Sequence, residues 1–190
     1  MTDGRSPLAS KIIEANPGAY ETLVVEGDTP ESARKLLGGV KPEELLSRPV
    51  NSPQAAQALL AGLWLWHDGL EECHRIVQDS PEGDMGRTYC FWHAIMHRRE
   101  GDFSNSKYWY ARAAGHPALA TLTASVGGIV DRAPADKSLL RLVASGWNPN
   151  AYVDLVEIVS REENDSRLAI AVQLQQLEWR VLWEHCLRGA

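Results

Sequence analysis

Apolar residues recur at intervals of three and four residues between positions 53 and 117, which is the spacing of one helix face. The positions form four runs: Ala55, Leu59, Leu63 and Trp66; Leu70, Cys73 and Val77; Cys90, Ala94 and His97; and residues 108–114. Turn residues separate the runs, with Asp68 or Gly69 ending the first helix and Gly101-Asp102 lying before the fourth. The pattern predicts four helices in two hairpins, and almost no strand.

The two hairpins repeat at an offset of 33 residues, since Asp68-Gly69-Leu70 aligns with Gly101-Asp102-Phe103. Such a period is typical of stacked helical hairpins. Residues 91–103, followed by Ser106, Tyr110, Ala113 and Pro117, resemble a tetratricopeptide repeat in their glycine-aspartate-aromatic turn and closing proline. The resemblance implies about two repeats over residues 53–117. Two repeats cannot bury a continuous core alone, so helices on either side must cap them.

The flanking segments complete a single all-α domain over residues 1–190. Prolines at six positions between residues 7 and 53 limit the first 52 residues to short helices, which we expect to wrap around the repeats as an arm. Residues 118–190 read as a helical cap whose last helix spans about residues 166–187. Its apolar face predicts burial, and Gln175, Gln176, Glu178 and Arg180 are expected on the opposite, polar face.

The composition and charge argue against several classes of protein. The 190 residues include 25 acidic and 19 basic side chains, and a net charge of -6 argues against nucleic-acid binding. No apolar run is long enough for a membrane span, and the N-terminus lacks a signal-peptide profile. Three widely spaced cysteines indicate reduced thiols rather than a disulfide framework. We therefore expect a cytoplasmic protein with no membrane partner.

Histidines and glutamates suggest a metal site as one hypothesis. His67, Glu71 and His74 are spaced i, i+4 and i+7, and His93, His97 and Glu100 repeat that spacing. If each set lay on one helix, its side chains would share a face, and a metal needs three or four such ligands to converge. The commoner role of such histidines is hydrogen bonding between hairpins, and Asp68 looks like a helix start that breaks the first face. Both interpretations stay open.

Two adjacent arginines suggest an anionic partner. The tetratricopeptide resemblance implies that Arg98 and Arg99 lie near groove-lining positions and that His97 packs between helices. Guanidinium groups on an acidic protein call for a carboxylate or phosphate. That partner is either internal, with candidates Glu71, Glu72, Glu100 and Asp102, or a bound ligand. Internal ion pairs are the commoner case.

A helix after this segment carries further candidates. Asn105, Tyr108 and Trp109 precede Arg112, and Trp109 could face the groove. Aromatic rings beside arginines suit a small planar ligand, but they also suit ordinary packing between hairpins. No nucleophile elbow and no phosphate-binding loop occurs in the sequence.

The segment Trp92-His93-Ala94-Ile95-Met96-His97-Arg98-Arg99-Glu100-Gly101-Asp102, followed by Asn105 and Tyr108-Trp109, resembles a family of bacterial and fungal proteins to which no activity is assigned. The likeness extends to Trp147-Asn148-Pro149 and Gln175-Gln176-Leu177-Glu178-Trp179. It implies no reaction.

The sequence favours a binding or scaffold module that holds a small anionic molecule or a peptide carboxylate and needs no cofactor. The expected ligand-binding residues are His67, His74, His93, His97, Arg98, Arg99, Asn105, Tyr108 and Trp109. The alternative is a metal-dependent enzyme that uses His67, Glu71, His74, His93, His97 and Glu100. A homodimer is possible under either hypothesis, and whether the chain is an enzyme stays open.

Overall fold

A computed structural model describes residues 4–131, 136–162 and 165–190. Within those residues the regular structure is helical and contains no β-strand, which confirms the predicted all-α class. The helices are α1 (Pro7–Glu14), α2 (Glu31–Leu37), a 3₁₀ turn (Pro42–Leu45), α3 (Pro53–Trp66), α4 (Leu70–Val77), α5 (Gly83–Glu100), α6 (Phe103–Arg112), α7 (Pro117–Ser125), α8 (Gly127–Val130), α9 (Lys137–Arg141), α10 (Pro149–Val159) and α11 (Leu168–Gly189).

Proline and a capping side chain define where several helices begin. Proline occupies the first turn of α1, α3, α7 and α10, where its missing N–H needs no partner. The residue just before each of these prolines accepts a hydrogen bond from a first-turn amide. Those caps are Ser6, Ser52, His116 and Asn148.

The four predicted helices between residues 53 and 117 are present as α3, α4, α5 and α6. α3 packs against α4, α5 packs against α6, and α5 also contacts both α3 and α4. The turn between α3 and α4 contains Asp68 in the left-handed region, with φ +60. Gly69, not Asp68, occupies the capping position of α4. The likeness of these two pairs to tetratricopeptide repeats stays a prediction.

The helices before α3 are short, as the prolines require, and α1, α2 and the 3₁₀ turn each contact α3. Residues 20–25 bond to two longer helices. The Val25 amide donates to the Arg99 carbonyl at 2.7 Å, and the Gln175 side chain donates to the carbonyls of Tyr20 and Thr22. These bonds fix the arm to α5 and α11.

The long helix α11 contacts α3, α7, α8 and α10. Its approach to α3 depends on Gly62, because a Cβ there would lie 2.8 Å from atoms of both Trp92 and Trp183. The expectation of an outward polar face on α11 is wrong for Gln175 and Glu178, which are fully buried. Both side chains bond to groups on other segments, so burial leaves their polar atoms with partners.

Among the described residues, no helix combines the length and apolar character that a membrane crossing requires.

Candidate metal centre

Three imidazoles from two helices meet at the interface between α4 and α5. His74 comes from α4, and His93 and His97 come from successive turns of α5. One ring nitrogen from each of the three lies within 4.8 Å of the others. The i, i+4 spacing of His93 and His97 places them on one face of α5. Packing of α4 against that face brings in His74.

His93 has an environment that an imidazole seldom tolerates. It is buried, and neither of its ring nitrogens has a hydrogen-bond partner in the described part of the chain. The Trp109 ring stacks on it at 3.8 Å between centroids, and the His97 ring stacks at 4.8 Å. Burial, followed by the neighbouring His97 and His74, lowers the pKa of His93 to about 3. The ring is therefore neutral at pH 7, which is the form that binds metals.

His97 is held from both sides. Its Nδ1 lies 2.9 Å from Oε2 of Glu100, and its Nε2 lies 3.0 Å from the Asn105 amide nitrogen. The carboxylate can only accept and the amide nitrogen can only donate, so the proton is on Nδ1 and Nε2 accepts. A carboxylate that holds one nitrogen of a histidine is the usual support for metal binding through the other nitrogen.

His74 forms the outer edge of the cluster. It is half-buried, and its ring centroid lies 4.9 Å from that of His93 and 5.6 Å from that of His97. It is the most accessible of the three rings. We refer to His74, His93 and His97 as the histidine cluster.

Three of the six predicted metal ligands lie outside the histidine cluster: Glu100, which bonds to His97 from beside it, and His67 and Glu71. His67 follows the end of α3, and its Nε2 donates to the Ile12 carbonyl at 2.9 Å. Burial lowers the pKa of His67. Glu71 is exposed and pairs with Arg75 one turn further along α4, at 3.2 Å. The predicted i, i+4, i+7 set is interrupted because residues 67–69 form a turn.

The predicted placement of Arg98 and Arg99 beside a groove is wrong, because both side chains are fully buried. Arg98 pairs with Glu178, with Nη2 2.6 Å from Oε2, and its guanidinium lies over the Tyr152 ring. Arg99 pairs with Asp68 and lies 4.0 Å from the centroid of the Tyr20 ring. The partners are thus internal, but neither was among the four carboxylates considered from the sequence.

The three remaining candidates differ in their surroundings. Trp109 and Asn105 contact the histidine cluster directly, through the His93 ring and His97 Nε2 respectively. Tyr108 is 55% exposed, and the Arg112 guanidinium lies 5.8 Å from its ring centroid. Tyr108 therefore lies outside the histidine cluster, at the surface beside Trp109.

The donor set is chemically consistent with one class of metal. Three imidazoles without a thiolate suit zinc and the neighbouring divalent transition metals, and they suit calcium and magnesium poorly. No family model matches this chain, and no curated protein or solved structure matches it either. Function must therefore be argued from the site itself.

Proposed function

We propose that the protein binds a divalent metal ion of the zinc class through His74, His93 and His97. The observation that carries the proposal is the buried His93 ring, whose two nitrogens have no protein partner among the described residues while two other imidazoles lie beside it. A buried polar group without a partner loses its hydration and gains nothing in return. A metal ion bound at one of these nitrogens supplies the missing interaction.

The geometry needs a small rearrangement to hold zinc. Two nitrogens bound to one zinc ion at about 2.1 Å each lie about 3.4 Å apart in a tetrahedral site, so the present separations of up to 4.8 Å must shorten. His74 is the only half-buried ring of the three, so packing restricts its rotation least. The Asn105 amide must also leave His97 Nε2, while Glu100 keeps its bond to Nδ1 and holds the ring.

Three protein nitrogens leave a fourth coordination position for water. Catalytic zinc sites share this arrangement, in which the ion lowers the pKa of its bound water to about 7. We therefore propose that the centre carries out metal-dependent hydrolysis.

The three cysteines are free and buried, which supports our expectation of a reducing compartment such as the cytoplasm.

Metal analysis of the purified protein tests the proposal. The chain is stripped with a chelator, reconstituted with zinc, desalted and analysed by plasma mass spectrometry. We expect one zinc ion per chain, and loss of that zinc in His74→Gln, which changes the most accessible ligand and preserves its size. A wild-type chain that retains no zinc contradicts the proposal.

The matched control is His67→Gln, which changes a histidine that the sequence grouped with His74 and the structure separates from it. The glutamine amide can still donate to the Ile12 carbonyl. This variant must retain zinc at the wild-type stoichiometry. Equal loss in both variants would point to unfolding or nonspecific binding, and circular dichroism of each variant separates those two.

A further inference from the structure

A cleft lies beside α11, and three tryptophans contribute to its lining. This cleft of about 670 Å³ is formed where the N-terminal arm meets the C-terminal helix, and Trp66, Trp179 and Trp183 line it. The rings of Trp179 and Trp183 stack at 5.7 Å with an angle of 11° between their planes, and Trp66 lies 4.3 Å from Trp179. The volume falls within the range of pockets for small organic molecules.

The polar atoms of these tryptophans are already satisfied. Trp66 Nε1 donates to the Ile13 carbonyl, Trp179 Nε1 to Gly62 and Trp183 Nε1 to Leu59. Trp179 and Trp183 are only 4% and 3% exposed, so the ring surfaces that a ligand can reach are mainly those of the half-buried Trp66. Such surfaces favour a flat aromatic molecule, through stacking and the burial of apolar area.

Charged side chains surround the ring surfaces. Arg5, Arg180 and Arg188 contribute three positive charges to the lining, and Glu184 contributes one negative charge. The exposed Arg180 side chain has no hydrogen bond or ion pair with any residue that the structure describes. An unpaired guanidinium beside an apolar wall is suited to a carboxylate, which it can bind with two parallel hydrogen bonds.

We propose that this cleft binds a flat aromatic molecule that carries a carboxylate, with the rings against Trp66 and the carboxylate on Arg180. The sequence suggested an anionic ligand but assigned it to Arg98 and Arg99, which are buried in the core. The cleft does not include any residue of the histidine cluster, so the two proposals stand or fall separately.

Calorimetric titration with two probes of matched shape tests the proposal. The probes are 2-naphthoate, which carries the carboxylate, and 2-naphthalenemethanol, which is neutral. We expect the carboxylate to bind at least about tenfold more tightly than the alcohol, the effect of one charge-assisted pair. Equal affinities, or no binding of 2-naphthoate up to its solubility limit, would overturn the proposal.

Two variants that should change the affinity for 2-naphthoate in opposite directions test where it binds. Arg180→Gln removes the proposed partner and should weaken 2-naphthoate about tenfold while leaving the alcohol unchanged. Glu184→Gln removes a repelling charge and should strengthen 2-naphthoate. Arg161→Gln, just after the end of α10, is the matched control, since Arg161 is exposed and pairs with Glu157. An equal effect of the Arg161 and Arg180 changes would show a general charge effect and overturn the assignment.

Sedimentation velocity on the same samples tests whether a second copy of the chain, rather than a small molecule, occupies the cleft. A monomer at the titration concentration supports a ligand site. A dimer that Arg180→Gln dissociates would make the cleft an interface between copies, and the ligand proposal would be wrong.

Discussion

Arg98 and Glu178 form an ion pair in the core, with Nη2 2.6 Å from Oε2 and both side chains fully buried. The pair joins α5 to α11 across 80 residues of sequence. Tyr110 supports it from α6, because its hydroxyl donates to the other carboxylate oxygen at 2.8 Å. The pair therefore couples the segment that carries His93 and His97 to the C-terminal helix.

Removing one charge of this pair should destabilise the fold strongly. In Glu178→Gln the Arg98 guanidinium stays buried without its counter-charge, which costs about 3–5 kcal/mol of unfolding free energy. Urea denaturation followed by circular dichroism measures the change.

The control for this change is a surface pair between Lys107 and Asp154, whose side chains are both partly exposed. Asp154→Asn should cost under about 1 kcal/mol, because water screens an exposed pair. Comparable losses of unfolding free energy in Glu178→Gln and Asp154→Asn would show that the buried pair stabilises the fold no more than the surface pair does.

Gly62 should resist replacement by alanine even though alanine favours helices. The added Cβ would lie 2.8 Å from Trp92 on α5 and from Trp183 on α11, so both indole rings must move away from α3. We expect Gly62→Ala to destabilise the protein by about 1–3 kcal/mol, as overpacked cores do. The thermal midpoint reports the effect. Gly128→Ala on α8, where no atom lies within 4 Å of the new Cβ, serves as the control and should not lower the midpoint.

His116 should make the fold sensitive to acid. It is buried at the start of α7, where it caps Ala118 and bonds to Thr88. Burial, with further contributions from His185 and Arg87 that Asp84 partly offsets, lowers the pKa of His116 from 6.5 to about 3. Between those values the unfolded chain binds the extra proton, so the stability that His116 contributes is present above pH 6.5 and is lost as the pH falls toward 3.

His116→Asn isolates this effect, because the asparagine oxygen can replace Nδ1 as the acceptor that caps α7 but does not titrate. Between pH 4 and 6 the unfolding free energy of the wild type should fall more steeply than that of the variant. The expected difference in slope is up to about 1.4 kcal/mol per pH unit, the value for one proton. Parallel pH profiles would show that His116 is protonated in the folded state at its ordinary pKa.

Glu100 should tune the metal affinity without binding the metal. Its bond to His97 Nδ1 orients the ring and increases the basicity of Nε2. We expect Glu100→Gln to weaken zinc binding about tenfold, measured by competition with a coloured chelator. Glu71→Gln is the control, since Glu71 is exposed and pairs with Arg75. An unchanged zinc affinity in Glu100→Gln would show that Glu100 does not support metal binding by His97.

Local periodicity was sufficient to predict the four helices between residues 53 and 117 and to name the three histidines of the cluster among six candidate ligands. The spacing of His93 and His97 fixes their common face, and the adjacent hairpin brings His74 near. The same spacing failed for His67, because α3 ends at Trp66 and α4 begins only at Leu70. A three-residue turn between the helices redirects the His67 side chain to the Ile12 carbonyl.

The buried arginines could not be placed from local pattern. The partner of Arg98 lies 80 residues away on α11, where helical periodicity puts Glu178 on a polar face that the structure buries. The partner of Arg99 is Asp68, which the sequence indicated only as a turn residue. Burial of such groups depends on which helices pack together, and that information is not local.

Anomalous diffraction from zinc-loaded crystals tests the metal centre most directly. Maps calculated from data on both sides of the zinc absorption edge should show one peak about 2.1 Å from a nitrogen of each of His74, His93 and His97. A peak elsewhere, for example between His116 and His185, whose ring centroids are 4.5 Å apart, or no peak in zinc-saturated crystals, would contradict the account.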